Sequence, residues 1–228
     1  MTGRVVRPEI LDGLSSDDPR ARRSRADLRR INGLMGNART VAGLLGRGHR
    51  RVLEIGAGDG AFARRVFWNP LRDGSPWSEA RAEGGTVSEV VLLDFQSFPP
   101  VEIPGWRVER VVADVFGYLR QGERFDAIVA NLFLHHFEND SLRDLLSLVA
   151  GRTGLFVACE PRRSSLALAG TRMLGPIGCN DVTRHDARVS VRAGFREREI
   201  SALWPETGWR LEERAAGPFG HAFRAVRG

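Results

Sequence analysis

Residues 51–63, Arg-Val-Leu-Glu-Ile-Gly-Ala-Gly-Asp-Gly-Ala-Phe-Ala, constrain this chain more than any other stretch. Val52, Leu53 and Ile55 form a short apolar run that suits a buried parallel strand. Gly56, Gly58 and Gly60 then permit a tight turn in which backbone can approach a ligand with no Cβ in the way. A helix resuming at Ala61 leaves free N–H groups aimed at whatever sits in that turn. Glu54 lies within the strand, two residues before the first glycine. On residues alone the run serves two readings, because Gly56, Gly58 and Ala61 also satisfy G-x-G-x-x-G/A, the dinucleotide pattern.

The segments that follow alternate strand and helix. Residues 1–20 read as an irregular arm, and Ser15-Ser16-Asp17-Asp18-Pro19 can cap the helix after it. Helices are predicted over 21–35 and 38–46, a strand over 51–55 and its helix over 60–68. An uneven connection spans 69–88. Strands follow at Val90–Leu93, ending in Asp94, at Trp106–Val112, at Phe125–Ala130 and at Gly154–Cys159, with a helix over 139–150 before the last. Residues 161–205 are mixed and mostly helical by pattern. Trp209–Arg214 and Phe219–Val226 read as a hairpin turning at Ala216-Gly217-Pro218. Five strands alternating with helices argue for a parallel, doubly wound sheet.

The acidic-x-Gly-x-Gly-x-Gly run at 54–60, the acids that close the second and third strands, and the terminal hairpin together resemble class I S-adenosylmethionine (SAM) dependent methyltransferases, and Leu134-His135-His136-Phe137 resembles the small-molecule, quinone-biosynthesis-like branch of that family. The resemblance covers about residues 50–160. It implies an α/β, doubly wound, mostly parallel seven-stranded sheet whose last strand is antiparallel, with an N-terminal helical cap. The implied division is an arm and cap over 1–48 and a SAM-binding domain over 49–228, in which 161–205 is the substrate-pocket segment.

In an open α/β sheet the ligand lies outside the carboxyl ends of the strands. Asp94 stands at such an end, where its carboxylate can accept both ribose hydroxyls. By resemblance, Asp114 meets the adenine amino group with Val115 or Phe116 against the ring, and Phe95 flanks the other face. Asp114 can equally cap a helix starting at Val115. Asn131, ending the fourth strand, falls near the SAM amino group in the family. Glu54, Gly56, Gly58 and Gly60 complete the implied cofactor set.

Methyl transfer from a sulfonium needs alignment, exclusion of water and often removal of a proton. Leu134-His135-His136-Phe137 after the fourth strand makes His136 the first candidate base and His135 the second, although the pair can also simply cap the strand–helix junction. His185 is a third candidate, with Asp186 or Arg184 to orient it or grip an anionic substrate. Met173, Phe195 and Trp204 are candidate pocket or core residues. No metal is expected: Asn131 stands where Mg²⁺-dependent catechol-type enzymes have an acid. The prolines of nucleic-acid amino-methyltransferases are missing from Asn131-Leu132-Phe133-Leu134, and Cys159 follows the wrong strand for a cytosine-C5 nucleophile.

Composition bounds the rest. At 228 residues the chain holds one α/β domain with a small cap. Net charge is +6 and every basic side chain is arginine. The cluster Arg20, Arg22, Arg23, Arg25, Arg29 and Arg30 could bind phosphates. The favoured reading is a solvated helix face opposite an apolar stripe of Leu28, Ile31, Leu34 and Met35. No apolar run approaches about 18 residues, so no membrane span is expected. No secretory signal opens the chain, and Cys159 and Cys179 form neither a zinc pattern nor a disulfide framework, so a cytoplasmic location is the expectation. The expected partner is a small-molecule acceptor, a phenolic, polyketide or quinone-like compound of secondary metabolism, rather than nucleic acid; a homodimer is open. The rival readings are an RNA methyltransferase, a nicotinamide-dependent oxidoreductase and a non-catalytic SAM-binding protein.

Overall fold

The computed structural model describes residues 3–15, 17–46, 48–68, 88–205 and 207–228. Apart from Ser88, the connection expected over 69–88 lies outside the described residues. One seven-stranded sheet organises the chain: β1 (Arg51–Ile55), β2 (Ser88–Asp94), β3 (Trp106–Val112), β4 (Ala127–Asn131), β5 (Leu155–Pro161), β6 (Trp209–Ala216) and β7 (Gly220–Arg227). Their spatial order is β3-β2-β1-β4-β5-β7-β6. The first five run parallel, whereas β7 is antiparallel to both β5 and β6. The expected doubly wound sheet with an inserted antiparallel last strand is therefore the observed one.

The strand pleat sorts the core into two layers. Leu53, Ile55, Val91 and Leu93 face one side, against Tyr118 and Leu119 of α4 (Val115–Arg120) and Leu142, Leu145 and Val149 of α5 (Asn139–Arg152). Val52, Val90 and Leu92 face the other, against Val41 and Leu45 of α2 (Asn37–Leu45) and Ala63, Val66 and Phe67 of α3 (Ala61–Phe67). Cys159 is buried in this second layer, and burial pushes its thiol up to about 12. A thiol so protonated is a small core residue, not a nucleophile.

The arm and cap depart from the expected packing. α1 (Pro19–Met35) begins with Asp18 accepting from Arg20 N and Pro19 in its first turn. Its buried face is not Leu28, Ile31, Leu34 and Met35: Leu34 is 83% exposed, and the buried residues are Ala21, Ser24 and Asp27. The reason is its neighbour. α1 lies along α7 (Asp181–Ala193) through polar contacts, Asp27 Oδ2 accepting from Asn180 N at 2.9 Å and Thr183 Oγ1 bonding Ser24 Oγ at 2.9 Å. An apolar stripe is not needed where hydrogen bonds supply the interface. The arginines divide. Arg23 and Arg30 pair with Asp27, while Arg25 and Arg29 turn toward the cavity described below.

Ahead of α1, residues 3–14 form a strap. Arg4 donates to Ala193 O at 2.8 Å and Phe137 O at 3.0 Å, with its guanidinium 4.2 Å above the Phe195 ring. Val5 N donates to Arg192 O at 3.1 Å. The carboxylate of Asp186 on α7 then accepts from Ile10 N and Leu11 N, at 2.9 Å each, which caps the short 3-10 turn Leu11–Gly13.

Candidate functional site

The carboxyl ends of β1, β2 and β4 open into a cavity of about 600 Å³. That lies inside the range of roughly 300–1,000 Å³ usual for small-molecule pockets. Its floor is the glycine turn. Gly56 N and Ala57 N donate to Leu93 O, at 2.9 and 3.0 Å, and Gly58 N donates to Asp94 Oδ2 at 2.8 Å, so the turn is lashed to the end of β2. The three glycines have positive φ (70°, 54° and 72°), where a side chain is strained. They are not equivalent. A Cβ on Gly56 would meet the Phe133 ring at 2.2 Å and one on Gly60 would meet Val101 at 2.6 Å, whereas one on Gly58 meets no protein atom within 4 Å. Gly58 fronts the cavity, while Gly60 sits behind the lining and serves packing at the start of α3. Gly58→Ala is therefore expected to fold with a cost of about 1–2 kcal/mol from the left-handed backbone, yet to lose tenfold or more in SAH (S-adenosylhomocysteine) affinity. Paired urea melts and titrations check this, and an undiminished affinity would remove Gly58 from the ligand surface.

Of the predicted cofactor residues, Glu54, Gly56, Gly58, Asp94, Phe95, Asp114, Val115 and Asn131 all line this one cavity. Asp94 also accepts from Gln96 N through Oδ1 at 2.8 Å, which fixes the carboxylate plane. Asp114 Oδ2 caps α4 by accepting from Gly117 N at 2.7 Å, and the residue also lines the cavity. Phe95 is 61% exposed at the mouth. Phe116 is turned away, edge-on to Phe137 at 5.7 Å. Asn131 is oriented by Asn37 of α2, whose Nδ2 donates to its Oδ1 at 2.9 Å.

Two buried acceptors in the wall, Glu54 Oε2 and Asn32 Oδ1, receive no hydrogen bond from the described residues. Unpaired buried acceptors are costly, and in a cavity they point to a donor carried by a ligand. Burial raises the Glu54 carboxyl well above the usual carboxylate range, and the charges of Asp59 and Asp94 push it further; a backbone hydrogen bond from Ala63 only partly opposes them. A cationic donor such as an ammonium is the kind of group that acceptors of this sort take.

The histidines separate cleanly. His136 lines the cavity, and its Nδ1 lies 3.4 Å from Asp12 Oδ2 on the strap. His135 is buried behind it, Nδ1 on Glu160 Oε2 at 2.8 Å and Nε2 3.4 Å from Glu9 Oε1. Burial alone would lower the His135 pKa, but hydrogen bonds to Glu160 and Glu9 and their charges win, lifting it to about 9. Burial would likewise raise Glu160, and His135 together with the Phe133 and Leu134 N–H groups holds it below the usual range instead. Glu9 follows the same balance, lowered by His135 against its own burial. A histidine already protonated at neutral pH has no lone pair to offer, so the triad is a brace. Glu9, His135 and His136 do bring one ligating atom each within 4.8 Å, but both His135 nitrogens are committed to carboxylates.

Glu160 also accepts from Phe133 N and Leu134 N, at 3.0 Å each, and from His135 N at 3.4 Å. This clamp holds the bend after β4, where Leu132 sits at φ 53°, a region bulky residues avoid.

His185 does not reach the cavity. It is half exposed, with Nδ1 3.0 Å from Asp186 Oδ1. No lining residue comes from 161–205: Phe195 and Trp204 are core, and Met173 is 59% exposed. That segment serves the site at one remove, through α7 holding the strap. The outer wall comes instead from the strap (Leu11, Asp12) and from Arg25, Leu28, Arg29 and Asn32 of α1. The α1 set carried a signal in its i, i+3, i+4, i+7 spacing, hidden because the stripe is half polar. Asp12 carried none, being more than a hundred residues from its partner.

No protein-family model matches the sequence, and neither does any curated protein. Solved structures do match in fold. An O-methyltransferase family protein from Burkholderia thailandensis superposes with a TM-score of 0.60 at 18% identity, over 93% of this chain, which spans 61% of that protein's length. The plantazolicin methyltransferase BpumL, solved with SAH, gives 0.62 at 12% identity, covering 93% of this chain and 92% of the other. Magnesium protoporphyrin IX methyltransferase from Synechocystis PCC 6803, also solved with SAH, gives 0.50 at 14% identity over 96% and 91%. The sheet order, the antiparallel last strand and these superpositions agree: the chain has the Rossmann-like fold of class I SAM-dependent methyltransferases.

Proposed function

We propose that this protein is a SAM-dependent methyltransferase acting on the hydroxyl oxygen of a small phenolic, polyketide or quinone-like acceptor. The observation that carries the reading is the pair of unpaired buried acceptors, Glu54 Oε2 and Asn32 Oδ1, in the cavity that also gathers Asp94, Asp114 and the glycine turn. In this reading Asp94 accepts the ribose hydroxyls, Asp114 the adenine amino group between Val115 and Phe95, and Glu54, Asn32 and Asn131 the ammonium group. SAM, when bound, supplies a methyl group already activated on a sulfonium. The chain's own part is to align the acceptor against it, keep water out with Leu11, Leu28, Phe133 and Phe137, and take a proton at His136.

One wall of the cavity is aromatic: Phe133 and Phe137 both line it and meet edge-to-face at 5.1 Å. A flat ring fits such a wall better than a nucleic-acid backbone does. Arg25 and Arg29 also line the cavity, Arg25 donating to Gln96 Oε1 and Arg29 paired with Asp59 at 2.7 Å. No described helix is long and apolar enough to cross a membrane.

Calorimetric titration with SAH tests the reading. Micromolar binding is expected, with protection from thermal unfolding. Stabilisation by NAD(H) or NADP(H) and none by SAH would replace it with the oxidoreductase.

A further inference from the structure

We propose that Asp12, on the amino-terminal strap, is the positioning residue for His136: it holds the imidazole as the Nδ1–H tautomer, so that Nε2 turns its lone pair to a phenolic hydroxyl in the cavity. This rests on the methyltransferase reading, adds a residue to it and narrows its acceptor to a phenol.

Three observations converge. Asp12 Oδ2 lies 3.4 Å from His136 Nδ1, and both residues line the cavity. The ion pair of His136 is made through Nδ1, which leaves Nε2 as the nitrogen for a ligand. The other neighbour, His135, stacks at 4.3 Å between ring centroids and spends its nitrogens on Glu160 and Glu9, so it cannot set the His136 tautomer. A separation of 3.4 Å is long for a hydrogen bond, and such contacts tighten when the reacting complex forms.

The strap is built to deliver Asp12. Asp186 grips the backbone N–H groups of the two residues before it, Gly13 N and Leu14 N close the turn after it, and Glu9 is fastened to His135 and Ser190. Every fixed point holds backbone or a neighbouring residue, leaving the Asp12 carboxylate directed at His136.

The step balances. The phenolic O–H proton passes to Nε2, the oxygen pair forms the O–CH₃ bond, and the C–S pair returns to sulfur. The imidazolium formed is then paired with Asp12. A phenol, with a pKa of about 10, is within reach of an imidazole base, whereas an aliphatic alcohol is not.

Side-chain nitrogen NMR on the full chain, ¹⁵N-labelled at histidine and saturated with SAH, tests this at about pH 8, where an ordinary imidazole is neutral. His136→Gln assigns the signal. The expected result is an Nδ1–H tautomer in the wild type that turns to Nε2–H in Asp12→Ala, with SAH affinity within twofold. On a phenolic acceptor, kcat should fall about 10–100-fold with the KM for SAM unchanged, and Asp12→Glu should recover part of it. An Nε2–H tautomer in the wild type, or one unmoved by Asp12→Ala while SAH still binds, would overturn the role of Asp12 alone. Failure of the folded wild type to bind SAH would instead overturn the reading beneath it.

Discussion

Asp94→Ala is expected to weaken SAH binding by at least a hundredfold while leaving the protein folded. The carboxylate is held edge-on by Gly58 N and Gln96 N, with lone pairs remaining on both oxygens for a ribose diol. Two charge-assisted hydrogen bonds lost at roughly 1.5–3 kcal/mol each exceed the 2.7 kcal/mol that a hundredfold change requires. Stability should change far less, because the two released N–H groups lie near a cavity that water can fill. Asn at the same position keeps one acceptor oxygen and should recover part of the affinity. Titration of the three proteins decides it, and equal affinities would move the ribose elsewhere.

Glu160→Ala carries the largest expected effect on stability. Its carboxylate, 0% exposed, answers three backbone N–H groups and the His135 ring. Removing it takes one of the two carboxylates from a buried cation and frees the bend that keeps Leu132 at positive φ. A loss of about 3–5 kcal/mol is expected, as for breaking a buried pair by one partner, read as a lowered urea midpoint. The same brace gives wild-type stability a pH signature. His135 has its pKa raised from 6.5 to about 9, so its stabilisation is complete below pH 6.5 and drains away as pH rises toward 9. A shift of that size is worth on the order of 3 kcal/mol. Glu160, held below the usual carboxylate range, contributes in the opposite sense: its share is present above about pH 4.5 and is lost in more acid solution. Unfolding curves flat between pH 7 and 9 would contradict the protonated brace.

Much of this was legible in the chain because the information was local. A strand of Val-Leu-Glu-Ile, a glycine turn and a resumed helix occupy consecutive residues, so β1 and the cavity floor follow from short-range sterics. Asp94, Asp114 and Asn131 could be placed because strand ends in a parallel sheet share one edge. The outer wall was illegible for the converse reason. Glu9 meets His135 and Asp12 meets His136 across more than a hundred residues, with no periodicity to announce either pair. α1 misled because its contact with α7 is made by Asp27, Ser24 and Thr183, and hydrophobic spacing does not register hydrogen bonds. His135 and His136 are adjacent in sequence and alike in type. Only burial between two carboxylates makes one a fixed cation and leaves the other facing the cavity.

The strap is fastened through main-chain atoms at three positions, with Asp186 on Ile10 N and Leu11 N and Arg192 O on Val5 N, and through side chains at Arg4 and Glu9. Main-chain fastenings are indifferent to the side chains they carry. Substitutions at Val5, Ile10 and Leu11 can therefore be made without losing these hydrogen bonds, and at Leu11 they change a residue of the cavity's outer wall while the glycine turn stays as it is. Within one short stretch ahead of the first strand, positions held by their backbone and free to vary stand beside Arg4, Glu9 and Asp12, whose side chains hold the contacts.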